Sequence, residues 1–213
     1  MGILAFGINH TTASVDLRGR VAFAPETVIE SLQTALAQLQ GDEVALLSTC
    51  NRTEIYLHGE ISDTEILNWL AEHKGLDIAL LEQCYYCHRD QQAVRHIMCV
   101  ASGLDSLILG EPQIFGQIKS AYAVGREAGT VSSNLNHVFQ SAFAAAKRVR
   151  SETAIGQNPV SVAYASVSLA EQIFSSLKDA HALLIGAGET IELVARHLRD
   201  KNIGSITVAN RTL

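Results

Sequence analysis

Cys50 is the residue whose surroundings point most directly to chemistry. It ends an apolar run, residues 44–50, and Asn51 and Arg52 follow it directly. Taken alone, a cysteine at the end of a strand is most often a small buried residue. A fixed positive charge beside the sulfur at an exposed turn favours the thiolate, and the Arg52 guanidinium could pair with a substrate carboxylate through two hydrogen bonds. The segment therefore predicts a nucleophile that accepts an acyl group from an ester.

The other cysteines, Cys84, Cys87 and Cys99, leave two alternatives open. Cys84 and Cys87, with His88, His96 and Cys99 nearby, could bind zinc, but a second well-spaced pair is missing and alternate residues of a strand diverge. Cys84 and Cys87 could also form a redox pair, although no helix is predicted to begin there. We expect no resident metal.

A second pattern with chemical meaning is a glycine-containing turn after an apolar strand at residues 182–185. It comprises Gly186, Ala187, Gly188, Glu189, Thr190 and Ile191. Since a helix follows, backbone N–H groups and the helix dipole could hold a pyrophosphate. Ile191 replaces the third small residue of the dinucleotide fingerprint, which indicates a variant family, and a purely structural turn is the alternative.

The end of the next strand indicates which nicotinamide cofactor would bind. Asn210, Arg211 and Thr212 follow the strand at residues 205–209, and none of them is acidic. A guanidinium and a hydroxyl suit a 2′-phosphate, so NADP is favoured over NAD. A nucleophilic thiol and an NADPH site together predict reduction of an acyl group through a thioester, because an ester is a poor hydride acceptor.

The elements that must position these residues follow from the apolar periodicity. Strands are predicted at residues 3–8, 44–50, 53–59 and 84–88, with helices at 25–39 and 62–73. The order β-α-β-β-α-β matches the ferredoxin-like unit, an antiparallel sheet covered on one face by two helices. Further helices are predicted at residues 90–101, 113–128, 133–151 and 160–177.

The predicted fold class is α/β with two parts. An α+β N-terminal domain, residues 1–151, carries the ferredoxin-like sheet and the added helices. A linker is predicted at residues 152–159, where Gly, Asn and Pro coincide. Residues 160–213 then form the start of a Rossmann-type βαβ NADP domain, which is incomplete because two parallel strands cannot stand alone.

Composition and charge narrow the function classes. The sequence is 47% hydrophobic and 18% charged, lacks an apolar stretch of about 18 residues and has no secretory signal, so we expect a cytoplasmic protein. A net charge of −6 gives no general attraction to phosphates. Residues 147–150, with Lys119 and Arg126, form either a local basic patch or a solvated helix end.

Several long motifs resemble those of glutamyl-tRNA reductases, which begin the five-carbon route to tetrapyrroles. The motifs are Gly7-Ile8-Asn9-His10-x-Thr12-Ala13, Ser48-Thr49-Cys50-Asn51-Arg52-Thr53-Glu54, Val100-Ala101-Ser102-Gly103-Leu104-Asp105-Ser106, Gly110-Glu111-Pro112-Gln113-Ile114-x-Gly116-Gln117 and Gly186-Ala187-Gly188-Glu189-Thr190. The resemblance implies that Cys50 attacks the ester of glutamyl-tRNA(Glu) and that NADPH reduces the product to glutamate-1-semialdehyde.

The resemblance also implies roles for further residues. His96 matches the active-site histidine of the family, although a lone helical histidine is more often a packed residue. The positions that match residues recognising the glutamyl group are Thr49, Asn51, Arg52, Ser106, Glu111, Pro112, Gln113 and Gln117. Among these we expect Arg52 to bind the substrate carboxylate.

Members of that family are longer, with a complete NADPH domain and a helical dimerisation domain. We therefore expect this chain to retain acyl transfer more than reduction, and we do not assume the family's homodimer. Glutamate-1-semialdehyde aminotransferase is the expected acceptor of the product. The rivals are a non-catalytic module that binds tRNA or a pathway partner, and an ordinary NADP-dependent dehydrogenase similar to shikimate dehydrogenase, which leaves residues 44–54 unexplained.

Overall fold

The computed structural model describes residues 2–156, 162–174 and 176–211. The chain divides into two units, Met1–Gln157 and Asn158–Leu213. The elements of the first are β1 (Gly2–Asn9), α1 (Val15–Val21), α2 (Val28–Gln38), β2 (Glu43–Ser48), β3 (Arg52–Gly59), α3 (Asp63–Lys74), α4 (Ile78–Glu82), β4 (Tyr86–Arg89), α5 (Asp90–Ser102), α6 (Gln113–Glu127), α7 (Ser133–Glu152) and a 3₁₀ turn, Ala154–Gly156. Those of the second are α8 (Val162–Ile173), β5 (His181–Ile185), α9 (Glu189–Asp200) and β6 (Ser205–Ala209).

The sheet of the first unit has the strand order β2-β3-β1-β4, and each neighbouring pair is antiparallel. The antiparallel pairing agrees with the predicted ferredoxin-like unit. The pairing places Asn9, at the end of β1, opposite Arg52, at the start of β3. The loop after β1 and the turn before β3 therefore lie at the same edge of the sheet.

Alternation along the strands builds two apolar layers. Leu4, Phe6 and Ile8 of β1 belong to a core with residues of α2 and α3. Ala5 of β1 and Tyr56 of β3 belong to a second core with residues of α5, α6 and α7. The structure thus adds a second helical layer to the face that the two-helix unit leaves open.

The helices α2, α3, α5, α6 and α7 lie within three residues of their predicted bounds, and α8 ends four residues before its predicted end at residue 177. The helices α1 and α4 were not predicted. A capping box begins α3: Glu65 N donates to Ser62 Oγ at 3.2 Å, and Ser62 N donates to Glu65 Oε2 at 2.8 Å. The two missed helices have only seven and five residues, too few to show an apolar period.

A buried carboxylate fixes the start of α7. The two oxygens of Glu43, on β2, accept N–H groups of Ser132, Asn134 and Leu135 at 2.8–2.9 Å. These are N–H groups that a helix start leaves without intrahelical partners. The contact ties the helical layer to the sheet through a charge at the positive end of the helix dipole.

The second unit is a β-α-β arrangement. Strands β5 and β6 are parallel, with Ile185 opposite Ala209. The predicted linker begins inside the first unit, since Glu152 ends α7 and the 3₁₀ turn reaches Gly156. Residues 157–159 of that linker lie outside the described residues. Of the described helices, none combines the length and apolar character that a membrane crossing requires.

Replacing Glu43 with Gln should lower the free energy of unfolding by about 1–3 kcal/mol, because the amide nitrogen brings a donor to face N–H donors. Burial raises the pKa of Glu43, but the hydrogen bonds from Asn134, Leu135 and Ser132 outweigh it and lower that pKa overall. The contribution is therefore present above the ordinary glutamate pKa and is lost as the pH falls through the lowered value.

Urea unfolding followed by the fluorescence of Trp69, the one tryptophan, measures this loss in the first unit. Glu127→Gln, at the exposed end of α6, is the matched control and should leave the midpoint unchanged. Equal midpoints for the parent and Glu43→Gln at neutral pH would contradict the assignment.

Candidate active site

The turn between β2 and β3 presents Cys50 to solvent. The Thr49 hydroxyl accepts the N–H groups of Asn51 at 3.2 Å and Arg52 at 3.1 Å, and Thr49 N donates to the Arg52 carbonyl at 2.8 Å. The thiol of Cys50 is free and exposed, so burial does not explain this cysteine. The Thr49 hydroxyl holds the backbone on both sides of the thiol.

Arg18 is the cation that contacts this turn. Its Nε donates to the Cys50 carbonyl at 3.4 Å, and its Nη1 donates to the Ala13 carbonyl at 2.6 Å. A further bond, from Phe23 N to Ser48 Oγ at 2.9 Å, joins the end of β2 to the segment after α1. Sequence reasoning missed Arg18 because it lies on a helix that was not predicted.

The expectation of an exposed Arg52 guanidinium beside the sulfur is wrong. Arg52 begins β3 and its side chain is only 2% exposed. Its Nη1 donates to Glu54 Oε1 at 2.5 Å, and its Nη2 donates to the carboxylate of Asp105 at 2.9 Å and to the Asp105 carbonyl. The strand pairing carries the side chain into the layer between sheet and helices, where it joins two acids.

Glu54 is fully buried and connects three side chains. Besides Arg52, its carboxylate accepts the Tyr86 hydroxyl at 2.7 Å and contacts His96 Nε2 at 3.0 Å. Burial raises the pKa of Glu54, but the hydrogen bond and charge of His96, the Arg52 charge and the Tyr86 hydroxyl outweigh it and lower the pKa to about 2. The carboxylate is therefore ionised at neutral pH and acts only as an acceptor.

This arrangement fixes the orientation of His96. Because Glu54 can only accept, His96 Nε2 must carry the hydrogen of their bond, which leaves Nδ1 as the nitrogen available to take up a proton. The signal for Glu54 in the sequence is a charged residue inside an apolar strand, which needs partners when buried. The sequence alone does not identify those partners.

Gly7 makes room for the Glu54–Tyr86 bond. It lies opposite Glu54 in β3 and opposite Tyr86 in β4. A Cβ at this position would lie 2.6 Å from Tyr86 Oη and 2.8 Å from Glu54 Cγ. The glycine of the first motif is thus required by the approach of the two side chains across β1.

Two further histidines accompany this cluster: His88, which the sequence offered only as a possible zinc ligand, and His10, which was assigned no role. The ring of His88 lies 4.7 Å from that of His96, centroid to centroid. The Nδ1 atom of His10 is buried without a hydrogen-bond partner among the described residues. Burial and the charge of Arg52 lower the pKa of His10, and the charge of Asp105 partly offsets this lowering. His10 thus belongs to the electrostatic surroundings of Arg52.

The other predicted substrate residues lie after α5. Ser106 follows Asp105, and its hydroxyl oxygen is buried without a partner among the residues that the structure describes. The carbonyl of Glu111 accepts Arg150 Nη2 at 2.6 Å. Pro112 caps α6, on which Gln113 is half-buried and Gln117 is exposed. The structure brings the loop at Asp105 to Arg52. The substrate-binding roles of Ser106, Glu111, Pro112, Gln113, Gln117 and Asn51 stay predictions.

Within the described ranges, one group of side chains has the donor set of a metal site: Glu54, His96 and Asp105, whose ligand atoms lie within 4.8 Å of one another. The guanidinium of Arg52 already bonds both carboxylates of this group. A cation would compete with that fixed positive charge, so we assign no metal here.

The structure does not bring Cys84 and Cys87 together with His88 at one site. Cys84 and Cys87 contribute to the core with α2 and α3, whereas the rings of Tyr86 and His88 lie beside His96 of α5. Burial raises the pKa of the Cys84 thiol, and burial with an Asp63 hydrogen bond raises that of Cys87 to about 12. Protonated thiols in a core are poorly suited to zinc or redox exchange.

The second unit contains the predicted dinucleotide turn. Gly186 has a φ of +111° and its N–H donates to the Ala209 carbonyl at 2.7 Å, which joins the ends of β5 and β6. Gly188 precedes α9, and a side-chain carbon there would meet no atom within 4 Å, so a phosphate can approach the backbone.

The groups around this turn fit a phosphate-bearing cofactor, although two acidic residues oppose an anion. Arg211 follows β6 and is exposed, like Ala187, Thr190 and Asn210, while Ile191 is half-buried. The two acidic residues are Glu189 and Glu192, both in the first turn of α9. Thr212 lies outside the described residues.

The predicted basic patch is largely engaged in internal contacts. Arg148 pairs with Glu152 at 3.1 Å, Arg150 donates to the Glu111 carbonyl and Arg126 Nη1 donates to the Val131 carbonyl at 3.1 Å. Helix-end contacts of this kind favour the solvated-helix interpretation over a dedicated phosphate surface.

Known proteins resemble this chain over its whole length. A family model described as "Glutamyl-tRNAGlu reductase, N-terminal domain" matches residues 6–153. The chain belongs to the glutamyl-tRNA reductase family. A second model, "Shikimate / quinate 5-dehydrogenase", matches residues 168–213, which contain the Gly186–Gly188 turn.

Individual glutamyl-tRNA reductases show how similar this chain is to family members and how much of their length it covers. It is 60% identical over 213 residues to that of Saccharophagus degradans and 61% identical over 214 residues to that of Pseudomonas syringae pv. syringae. The solved "Glutamyl-tRNA Reductase from Methanopyrus kandleri" is 35% identical, with a TM-score of 0.65 over 99% of this chain and 49% of that one. The chain spans about half the length (50%) of the curated relatives it matches. The predicted family and fold class are confirmed.

Glu54→Gln should lower the stability of the first unit by about 3–5 kcal/mol, because Arg52 stays buried without its fully buried anionic partner. The pKa of Glu54 is lowered from 4.5 to about 2, so its contribution is complete above about pH 4.5 and is lost as the pH falls toward 2. Urea midpoints measured from pH 7 downward should converge for parent and variant. Glu152→Gln, which breaks an exposed pair, should change the urea midpoint little at any pH. A difference between the midpoints of the parent and Glu54→Gln that stays constant down to pH 2 would refute the assignment.

Gly7→Ala should displace Tyr86 from Glu54 and cost about 1–3 kcal/mol. Unfolding of Gly7→Ala, Tyr86→Phe and the double variant forms a cycle that tests this cause. We expect the double variant to be less destabilised than the sum, because Tyr86→Phe removes the same bond. Gly19→Ala, at an exposed site with no neighbour within 4 Å, is the control. If the two changes in the free energy of unfolding are fully additive, Gly7→Ala does not act through the Glu54–Tyr86 bond.

Proposed function

We propose that this chain is the acyl-transferring part of an enzyme that reduces glutamyl-tRNA(Glu) to glutamate-1-semialdehyde with NADPH, the first step of the five-carbon route to tetrapyrroles. The observation that carries the proposal is the exposed thiol of Cys50 in a turn continuous with Arg52, which is bonded to Glu54 and through it to His96. A nucleophile, a cation and an oriented base thus belong to one connected group.

The first chemical step is transfer of the glutamyl group to Cys50. The sulfur attacks the ester carbonyl, the S–C bond forms, and the C–O bond to the terminal ribose breaks. The thiol proton passes to His96 Nδ1 and from there to the departing 3′-oxygen of the tRNA. In support, the bond to Glu54 holds the opposite nitrogen of the ring and leaves Nδ1 available.

Recognition of the glutamyl group is proposed for residues around the thiol and on the loop after α5. Arg52 is the proposed partner of the substrate carboxylate, and the unpartnered Ser106 hydroxyl offers a hydrogen bond. The remaining proposed contacts are Thr49, Asn51, Glu111, Pro112, Gln113 and Gln117. Thr49 would act chiefly by holding the turn, since its hydroxyl is bonded to the backbone.

NADPH, when bound, supplies the hydride that reduces the thioester to the aldehyde. The residues proposed to hold it are Gly186, Ala187, Gly188, Glu189, Thr190, Ile191, Asn210, Arg211 and Thr212. The open backbone at Gly188 suits the pyrophosphate, and the exposed Arg211 suits a 2′-phosphate. We propose the cytoplasm as the compartment, where Cys50 stays reduced, and glutamate-1-semialdehyde aminotransferase as the acceptor of the product. No homodimer is assumed for this chain.

Single-turnover reaction with tRNA(Glu) carrying labelled glutamate tests the proposal. The parent chain should retain the label on protein in a form released by hydroxylamine, as a thioester is, and Cys50→Ser should not. Cys99→Ser is the matched control and should behave like the parent. Label on Cys50→Ser equal to that on the parent would overturn the thioester.

The same chains distinguish an enzyme from a binding module. An alkylating agent should modify Cys50 before Cys84, Cys87 and Cys99, because Cys84 is buried and the other two are half-buried. A module that only binds charged tRNA would protect Cys50 from alkylation without ever carrying the label.

A further inference from the structure

Arg52 has two acidic partners that differ in their access to solvent. The side chain of Glu54 is 0% exposed, and that of Asp105 is 41% exposed. Each bonds a different nitrogen: Glu54 bonds Nη1 at 2.5 Å and Asp105 bonds Nη2 at 2.9 Å. One partner lies inside the protein and the other at its surface.

The two acids also differ in what else holds them. Glu54 accepts the Tyr86 hydroxyl and bonds His96, so three elements fix its position. The carboxylate of Asp105 lies on the segment between α5 and α6, where its bond to Arg52 is its salt bridge among the described residues. Glu54 is thus held by bonds other than that to Arg52, whereas Asp105 is held to the site through Arg52 Nη2, which bonds its carboxylate and its carbonyl. Asp105 is therefore the partner that can leave.

The segment that carries Asp105 is a loop closed at its base. Gly103 and Gly110 both have positive φ, +76° and +79°, and Gly110 N donates to the Gly103 carbonyl at 2.8 Å. Between them, Leu104, Leu107 and Leu109 are 44%, 54% and 60% exposed. Moving this part of the loop uncovers little buried apolar surface, so the cost in hydrophobic free energy is small.

Access to Arg52 follows from these facts. Because its side chain is only 2% exposed, an incoming carboxylate can bond the guanidinium only by replacing a partner already present. Replacing Glu54 would break the bonds to Tyr86 and His96 as well. Replacing Asp105 exchanges one anion for another and keeps the charge of Arg52 balanced.

We propose that Asp105 is a replaceable counter-ion of Arg52, displaced by the side-chain carboxylate of the glutamyl group when the substrate binds. This inference rests on the proposed function and deepens it. Asp105 then determines specificity, because a neutral side chain cannot substitute for its charge beside a buried guanidinium. The unpartnered hydroxyl of Ser106, on the neighbouring residue, gains access to the same ligand as the loop shifts.

The test is the concentration dependence of Cys50 labelling by glutamyl-tRNA(Glu) under single-turnover conditions. Asp105→Asn keeps the shape of the side chain and weakens its hold on Arg52. It should lower the half-saturating concentration about two- to fivefold, the range of an exposed ion pair, while the limiting rate changes less. Asp105→Glu, which keeps the charge, should stay near the parent.

Asp63→Asn is the matched control, since it breaks another partly exposed aspartate–arginine pair, to Arg89 at 2.5 Å, and should leave the half-saturating concentration unchanged. Urea midpoints check that every variant is folded. A half-saturating concentration that rises in Asp105→Asn would show that Asp105 binds the substrate itself, and an unchanged one would make it a bystander; either result overturns the inference alone. Absence of label on the parent would overturn the proposed function, and this inference with it.

Discussion

The buried carboxylate of Glu54 is the constraint on which the candidate site depends. An ion inside a protein is costly unless other groups satisfy it, and Glu54 is satisfied by Arg52, Tyr86 and His96. Each of these comes from a different position in the fold: the start of β3, β4 and α5. The carboxylate thereby fixes a cation, a hydroxyl and an imidazole relative to one another. Removing it would leave a buried guanidinium with only the partly exposed Asp105 as its anionic partner, and a histidine ring free to turn.

The fold explains why such a group forms next to an exposed thiol. Alternation along β3 directs Arg52 and Glu54 to the layer covered by α5, and the strand pairing places β4 with Tyr86 on the other side of β1. Gly7 in the central strand leaves the space in which Tyr86 and Glu54 meet. The turn before β3 lies outside this layer, so Cys50 faces solvent while the groups that support it are buried. The site thus separates an accessible thiol from a protected set of charges.

Much of the fold and part of the site could be predicted from the sequence. Apolar periodicity located the strands, the ferredoxin-like order and the long helices, and the motif around Cys50 indicated the turn. Periodicity could not locate α1 and α4, which are too short, and so Arg18 was missed. It also placed Arg52 at an exposed turn, because the bond from Arg52 to Asp105 joins residues 53 positions apart, and the bond from Glu54 to His96 joins residues 42 positions apart. Spacing along a chain carries no information about such contacts. A charged residue in an apolar strand was the one local sign that Glu54 needed partners.

The most direct test of the central claim is the protonation of the His96 ring, observed by ¹⁵N NMR at neutral pH. An ionised Glu54 requires a proton on Nε2, held in a hydrogen bond. We predict an Nε2–H resonance for His96 that exchanges slowly with solvent in the parent and exchanges fast in Glu54→Gln. A neutral His96 ring protonated on Nδ1, or an Nε2–H signal unaffected by Glu54→Gln, would contradict the claim that Glu54 organises the site.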